Sequence, residues 1–111
     1  MRRESFYFDP TADGTAVFLG RSESLLMELA WKHGVLTVKQ ALFYLSERRP
    51  AYTTVMTILT RLATKGLLAR EREGRNFVYR PCQSREQFVR ARVGAVLACL
   101  RRNYPEALGT R

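Results

Sequence analysis

The sequence predicts a mainly α-helical domain carrying one small β-hairpin. Three observations predict it. Residues 37–65 hold two helix-period patterns separated by a turn at Arg48, Arg49 and Pro50. The period changes directly after Gly66, where two short strand-like runs flank a loop containing Gly74 and Asn76. A last helical pattern, opened by its own capping signature, fills residues 84–102. Helix, turn, helix and then a hairpin is the order of a winged helix-turn-helix.

Composition narrows the class. A chain of 111 residues suits one domain with a modest core. Hydrophobic content of 46% and charged content of 26% exclude a disordered chain. Nineteen Lys+Arg against ten Asp+Glu leave a net charge of +9, which favours a polyanionic partner, nucleic acid first. Sixteen of the nineteen cations are arginine, the residue suited to bidentate contacts with phosphate or guanine. Cys82 and Cys99 make no disulfide framework, and His33 is the only histidine, so no metal or cofactor site is legible. No nucleophile–base pair or paired carboxylates suggest an enzyme. The longest purely apolar run, residues 93–100, is too short to cross a bilayer. The charged start, Met1-Arg2-Arg3-Glu4, does not read as a signal peptide. A cytoplasmic location with no membrane partner is the expectation.

Residues 1–20 divide into Phe6-Tyr7-Phe8 and Ala16-Val17-Phe18-Leu19 around the turn-forming run at 9–14. They read as a short hairpin or an arm laid over the domain, packed on its own core or on a partner subunit. A first helix spans about 22–32, with Ser22 as N-cap, Glu23 in the first turn and Gly34 as the C′ residue. Leu25, Leu26, Leu29 and Ala30 are its expected buried stripe. His33 reads as a helix-end histidine. Thr37 and Gln40 form a capping box for a second helix that buries Val38, Ala41, Leu42 and Leu45.

The third helix, residues 52–65, is the element the others serve. Val55, Ile58, Leu59 and Leu62 make its apolar face. Thr53, Thr54, Thr57, Thr60, Arg61 and Thr64 fall largely off that face. Short hydroxyls and one long cation suit phosphates and base edges. A core helix with a solvated Thr/Arg face is the plainer reading, and the neighbouring turn and hairpin argue against it. Tyr52, Thr53, Thr54, Thr57 and Arg61 are therefore the candidate major-groove or phosphate contacts. Its N-terminus is less defined, because Ala51 stands where a capping hydroxyl is common and Thr53 is an alternative.

Residues 67–72 and 77–80 flank Glu73-Gly74-Arg75-Asn76, a four-residue loop of a β-hairpin. Arg70, Arg72, Arg75 and Arg80 give this wing its charge; Arg72, Arg75 and Asn76 are its candidate DNA contacts. Ser84 and Gln87 form a second capping box. In the helix they open, Val89, Val93, Val96 and Leu100 step by 4, 3 and 4, a coiled-coil-like seam. With Phe88 and Leu97 they are the candidate dimer contacts. Packing back onto the first helix is the alternative. The organisation is then an N-terminal arm or hairpin (1–20), a winged-helix DNA-binding domain (21–81), and a dimerisation helix with tail (82–111).

These residues resemble a known family. Leu19-Gly20 with Glu23, Met27 and Trp31, then Thr37-Val38, then TTVMTILTRLATKGLLAREREGRNFVYRP at 53–81, are similar to the BlaI/MecI family of penicillinase and methicillin-resistance repressors. The resemblance covers about residues 19–81 and keeps helix, glycine stop and wing in register. It implies a winged-helix homodimer that binds palindromic operator DNA and represses transcription. For several members it also implies a partner, a membrane-bound sensor protease that cuts an Asn-Phe bond early in the helix after the wing. The matching position here is Gln87-Phe88, and Asn76-Phe77 lies in the wing. The paired cysteines of the copper-responsive branch have no match in Cys82 and Cys99. A second reading stays open beside this one: a winged-helix protein-interaction module without sequence-specific DNA reading.

Overall fold

Capping chemistry sets most of the boundaries seen in the computed structural model, which describes residues 6–109. Helix α1 (Arg21–His33) ends at Gly34, whose φ of 81° is the left-handed C-cap conformation. Helix α2 (Val38–Tyr44) opens with the Thr37–Gln40 capping box, both reciprocal bonds formed. A 3-10 turn (Ser46–Arg48) leads to helix α3 (Tyr52–Thr64). Gly66 N–H donates to Ala63 O and Leu67 N–H to Leu62 O, the bond pair of a Schellman stop. Strands β1 (Leu68–Glu73) and β2 (Asn76–Pro81) pair antiparallel from Leu68–Pro81 to Glu73–Asn76. Helix α4 (Arg85–Asn103) opens with the Ser84–Gln87 capping box.

The core lies between α1, α3 and the base of the hairpin. Leu26, Met27 and Ala30 of α1 meet Val55, Ile58, Leu59 and Leu62 of α3, with Leu36, Leu67, Leu68 and Tyr79 closing the bottom. Leu36 and Tyr79 exchange both backbone hydrogen bonds, at 2.9 and 2.8 Å, so a third strand segment of one residue anchors the wing. The stripe on α1 is rotated from the expected one: Met27 is buried, while Leu25 and Leu29 are only half-buried. Two contacts set the rotation, Ser24 Oγ on Thr15 Oγ1 at 2.7 Å and the Glu23 carboxylate on Lys65 Nζ at 2.9 Å.

The N-terminal segment is an arm rather than a hairpin. A 3-10 turn (Gly14–Val17) and one bond from Asp9 N–H to Val17 O at 2.8 Å fold it, and Phe18 and Leu19 enter the core. Buried Thr15 donates to Glu28 Oε2 at 2.6 Å, and Arg85 Nε binds the same carboxylate at 3.0 Å, which ties arm, α1 and α4 together. The charged start at residues 1–4 lies outside the described residues.

The first turns of helix α4 pack on the body: Trp31 Nε1 donates to Gln83 O at 2.9 Å, and the Trp31 and Phe88 rings lie 5.5 Å apart. Val89 and Val96 also rest on the core from one side of the helix, and the longest extent of the chain is 55 Å against 32 and 23 Å. Among the described residues no helix is long and apolar enough to cross a membrane.

Candidate nucleic-acid interface

The turn before α3 fixes how that helix is presented. Arg49 has φ 48° and ψ 52°, and it is the one non-glycine residue with positive φ among the described residues. Ala51 stands at the N-cap without a side-chain bond, so the Thr53 and Thr54 hydroxyls are not used as caps. Helical geometry then sorts the α3 side chains. Val55, Ile58, Leu59 and Leu62 are buried, and Thr53, Thr57 and Thr60 lie opposite them, facing outward. Tyr52 and Met56 form one flank. Thr54 and Arg61 form the other, beside the N-terminus of α1.

The wing stands over the Tyr52 flank. Its loop is tighter than the four residues expected: Glu73 and Asn76 still pair, leaving only Gly74 and Arg75. Gly74 has φ 64° and Arg75 does not have positive φ, the pattern of a type II′ turn. Tyr52 and Met56 share a groove with Lys39 of α2 and with Arg75, Asn76 and Phe77 of the wing. Lys39 and Met56 were not among the candidates read from sequence. Lys39 reads there only as an internal capping-box position, and Met56 is given no role.

The wing arginines differ in their engagement. Arg70 and Arg72 sit over the Phe77 ring at 4.4 and 5.5 Å, and Arg72 Nε also reaches Gly74 O at 3.4 Å. Arg80 is paired with Glu71 at 2.9 Å. Among the described residues Arg75, Lys39 and Arg61 have no acidic partner. Arg72 is thus partly spent on the hairpin itself, whereas Arg75 projects its charge from the tip. Among the described residues no cluster of three or more His, Cys, Asp or Glu side chains could hold a metal.

The candidate dimer residues divide. Phe88 is only 1% exposed and fills the chain's own core against Trp31, so it is not on the outward face the sequence assigns it to. The reason is register: Phe88 sits in the first turn of α4, where the helix still touches α1. Val89 and Val96 are half-buried against the same core. Val93 is 40% exposed, and Leu97 and Leu100 are partly exposed.

A helix-turn-helix, a paired hairpin behind it and a hydroxyl-rich exposed face on α3 define a winged-helix protein. Comparison with known proteins is more specific. The penicillinase repressor family matches residues 19–109, and the chain belongs to that family. The transcriptional regulator BlaI of Mycobacterium tuberculosis is 42% identical over 73 residues, which are 64% of this chain and 53% of the regulator. The chain therefore spans about half the length of the curated relatives it matches. The solution structure of the DNA binding domain of the repressor BlaI is similar with a TM-score of 0.51 and 31% identity, over 60% of this chain and 83% of that one. A CopR repressor structure has a TM-score of 0.49 and 29% identity, over 69% of this chain and all of that one.

Proposed function

We propose that the chain represses transcription by binding a palindromic operator as a homodimer, with α3 in the major groove and the wing on the adjacent backbone. One observation carries the reading: the α3 face opposite the core is made of hydroxyls, with Arg61 on one flank and the Lys39–Arg75 groove on the other. An exposed helix face without acidic residues, bracketed by cations, matches a polyanion and repels few phosphates. Family membership and the BlaI relatives support the same reading. A single module makes few base contacts, so two half-sites read by a two-fold dimer would supply specificity. The exposed face of α4, with Val93, Leu97 and Leu100, is the proposed subunit contact.

Proteolytic release at Gln87-Phe88 is not part of this proposal. Gln87 is held by both bonds of the capping box, and Phe88 is buried, so the folded chain shields that bond. Selecting bound sequences from a random duplex pool tests the function. Enrichment of a two-fold symmetric site supports it. Absence of a shift with any duplex would favour the protein-interaction reading instead.

A further inference from the structure

We infer that the N-terminus of α1 and the turn before α3 form a second phosphate-binding bank, centred on Arg21 and Arg48, which grips the strand opposite the one held by the wing. This rests on the reading that α3 enters a major groove. The groove is about 12 Å wide and a helix with its side chains about 10–12 Å across, so an inserted helix has a sugar-phosphate strand on each flank. The wing and Lys39 serve the Tyr52 flank. The other flank carries its own cations.

Thr54 shares a groove with Arg21, Ser22 and Arg48, and Arg61 shares the next one with Arg21 and Ser22. Arg21 lines both, so the cations form one continuous bank along α3. Among the described residues none of Arg21, Arg48 and Arg61 is in an ion pair. Glu23, Asp9 and Asp13 share grooves with Arg21, and Glu47 precedes Arg48 in its 3-10 turn; none of Asp9, Asp13 and Glu47 forms an ion pair with these arginines among the described residues. Glu23 is neutralised by Lys65 at 2.9 Å. Asp9 is occupied by Thr11, whose hydroxyl and N–H hold its carboxyl below the usual carboxylate range, with Arg21 adding a smaller effect.

Two breaches of local preference fall on the bank or beside it. Arg21 is the first residue of α1, where the positive end of the helix dipole disfavours a cation. Arg49, next to Arg48, holds a left-handed backbone and precedes Pro50, both unfavourable for arginine. Such breaches concentrate where a side chain serves a function.

The test compares wild type, Arg21→Gln, and the Arg21→Gln/Arg48→Gln pair on a random-sequence duplex across a salt titration, with thermal unfolding of each. Each lost phosphate contact lowers the log–log salt slope by about 0.9, so per bound subunit the single variant should lose about one unit and the pair about two. Melting temperature should hold or rise for Arg21→Gln, because a cation leaves the helix N-terminus; a merely structural arginine would lower it. On a symmetric site recovered by selection, phosphate-ethylation interference should lose its signal on one strand and keep the wing's signal on the other. Unchanged slopes in both variants, with Arg75→Gln still lowering the slope, overturn the second bank and leave the wing reading intact. Wild type that binds no duplex overturns this bank together with the function it rests on.

Discussion

Lys65 Nζ sits 3.1 and 2.9 Å from the two carboxylate oxygens of Glu23, whose side chain is only 9% exposed, so the end of α3 is clasped to the start of α1. Lys65 itself is 39% exposed, which limits what the pair contributes. Lys65→Gln removes the charge partner of a buried carboxylate and should destabilise by about 1–2 kcal/mol in urea unfolding. Glu23→Gln should also destabilise, by less. The two should differ on DNA. Glu23→Gln releases a cation beside Arg61 and should steepen the salt slope on random duplex, while Lys65→Gln should not. Parallel slopes in the two variants would place the pair away from DNA.

Thr57 and Arg61 should fail differently when truncated. Thr57 lies opposite the buried face and Arg61 lies on the α1 flank. Thr57→Ala should relax base preference at one operator position, by about 1–3 kcal/mol at most. Arg61→Ala should weaken specific and random duplex by similar factors, as a phosphate contact does. Binding-site selection repeated with each variant checks this. A base preference altered by Arg61→Ala alone would reverse the two roles.

Arg75 and Arg72 both belong to the wing, yet only Arg75 has no partner among the described residues. Arg75→Ala should flatten the salt slope by about one unit per bound subunit and leave stability within about 0.5 kcal/mol. Arg72→Ala should change the slope less, and should loosen the hairpin by removing its stack on Phe77 and its bond to Gly74 O. Faster amide exchange at the wing tip of Arg72→Ala would report that loosening.

What could be read from sequence is what neighbours in sequence decide. The Thr37–Gln40 and Ser84–Gln87 boxes each close within four residues, so the starts of α2 and α4 are legible. The Gly66 stop and the wing strands are legible for the same reason. The Leu36–Tyr79 bridge is not, because a single residue carries no period and its partner is 43 positions away. Met27 escapes for a related reason: only the arm contact at Thr15 and the α3 contact at Lys65 rotate α1 toward it. Arg21 and Arg48 lie far apart in sequence, and only packing brings them to one flank of α3.

Arg49 offers a separable test of stability against binding. A left-handed backbone costs an L-residue about 1–2 kcal/mol, and glycine gives back about 0.5–1 kcal/mol through its extra freedom when unfolded. Arg49→Gly should therefore raise stability by about 0.5 kcal/mol while weakening DNA binding through the lost charge. Arg49→Lys should keep most of the binding and none of the stability gain. A destabilised Arg49→Gly would mean that the arginine side chain supports the turn itself.

Phe88 and Val93 lie five residues apart on α4 and should fail in different ways. Phe88 is buried against Trp31 within one chain, so Phe88→Ala should destabilise by about 3–5 kcal/mol whatever the protein concentration. Val93 is 40% exposed, while Val89 and Val96 touch the core. A charge there costs the isolated chain little, so Val93→Glu should still fold. In a two-fold dimer the same charge meets its own copy, and both carboxylates lose water without a partner. Sedimentation of Val93→Glu should then give a monomer at concentrations where wild type is a dimer. Operator affinity should fall with it, because dimerisation and DNA binding stabilise each other by mass action. A Leu97→Glu variant should behave alike, since it lies one turn further along the same face. Wild type that stays monomeric on DNA removes the interface. A Val93→Glu chain that unfolds returns α4 to the core of a single chain.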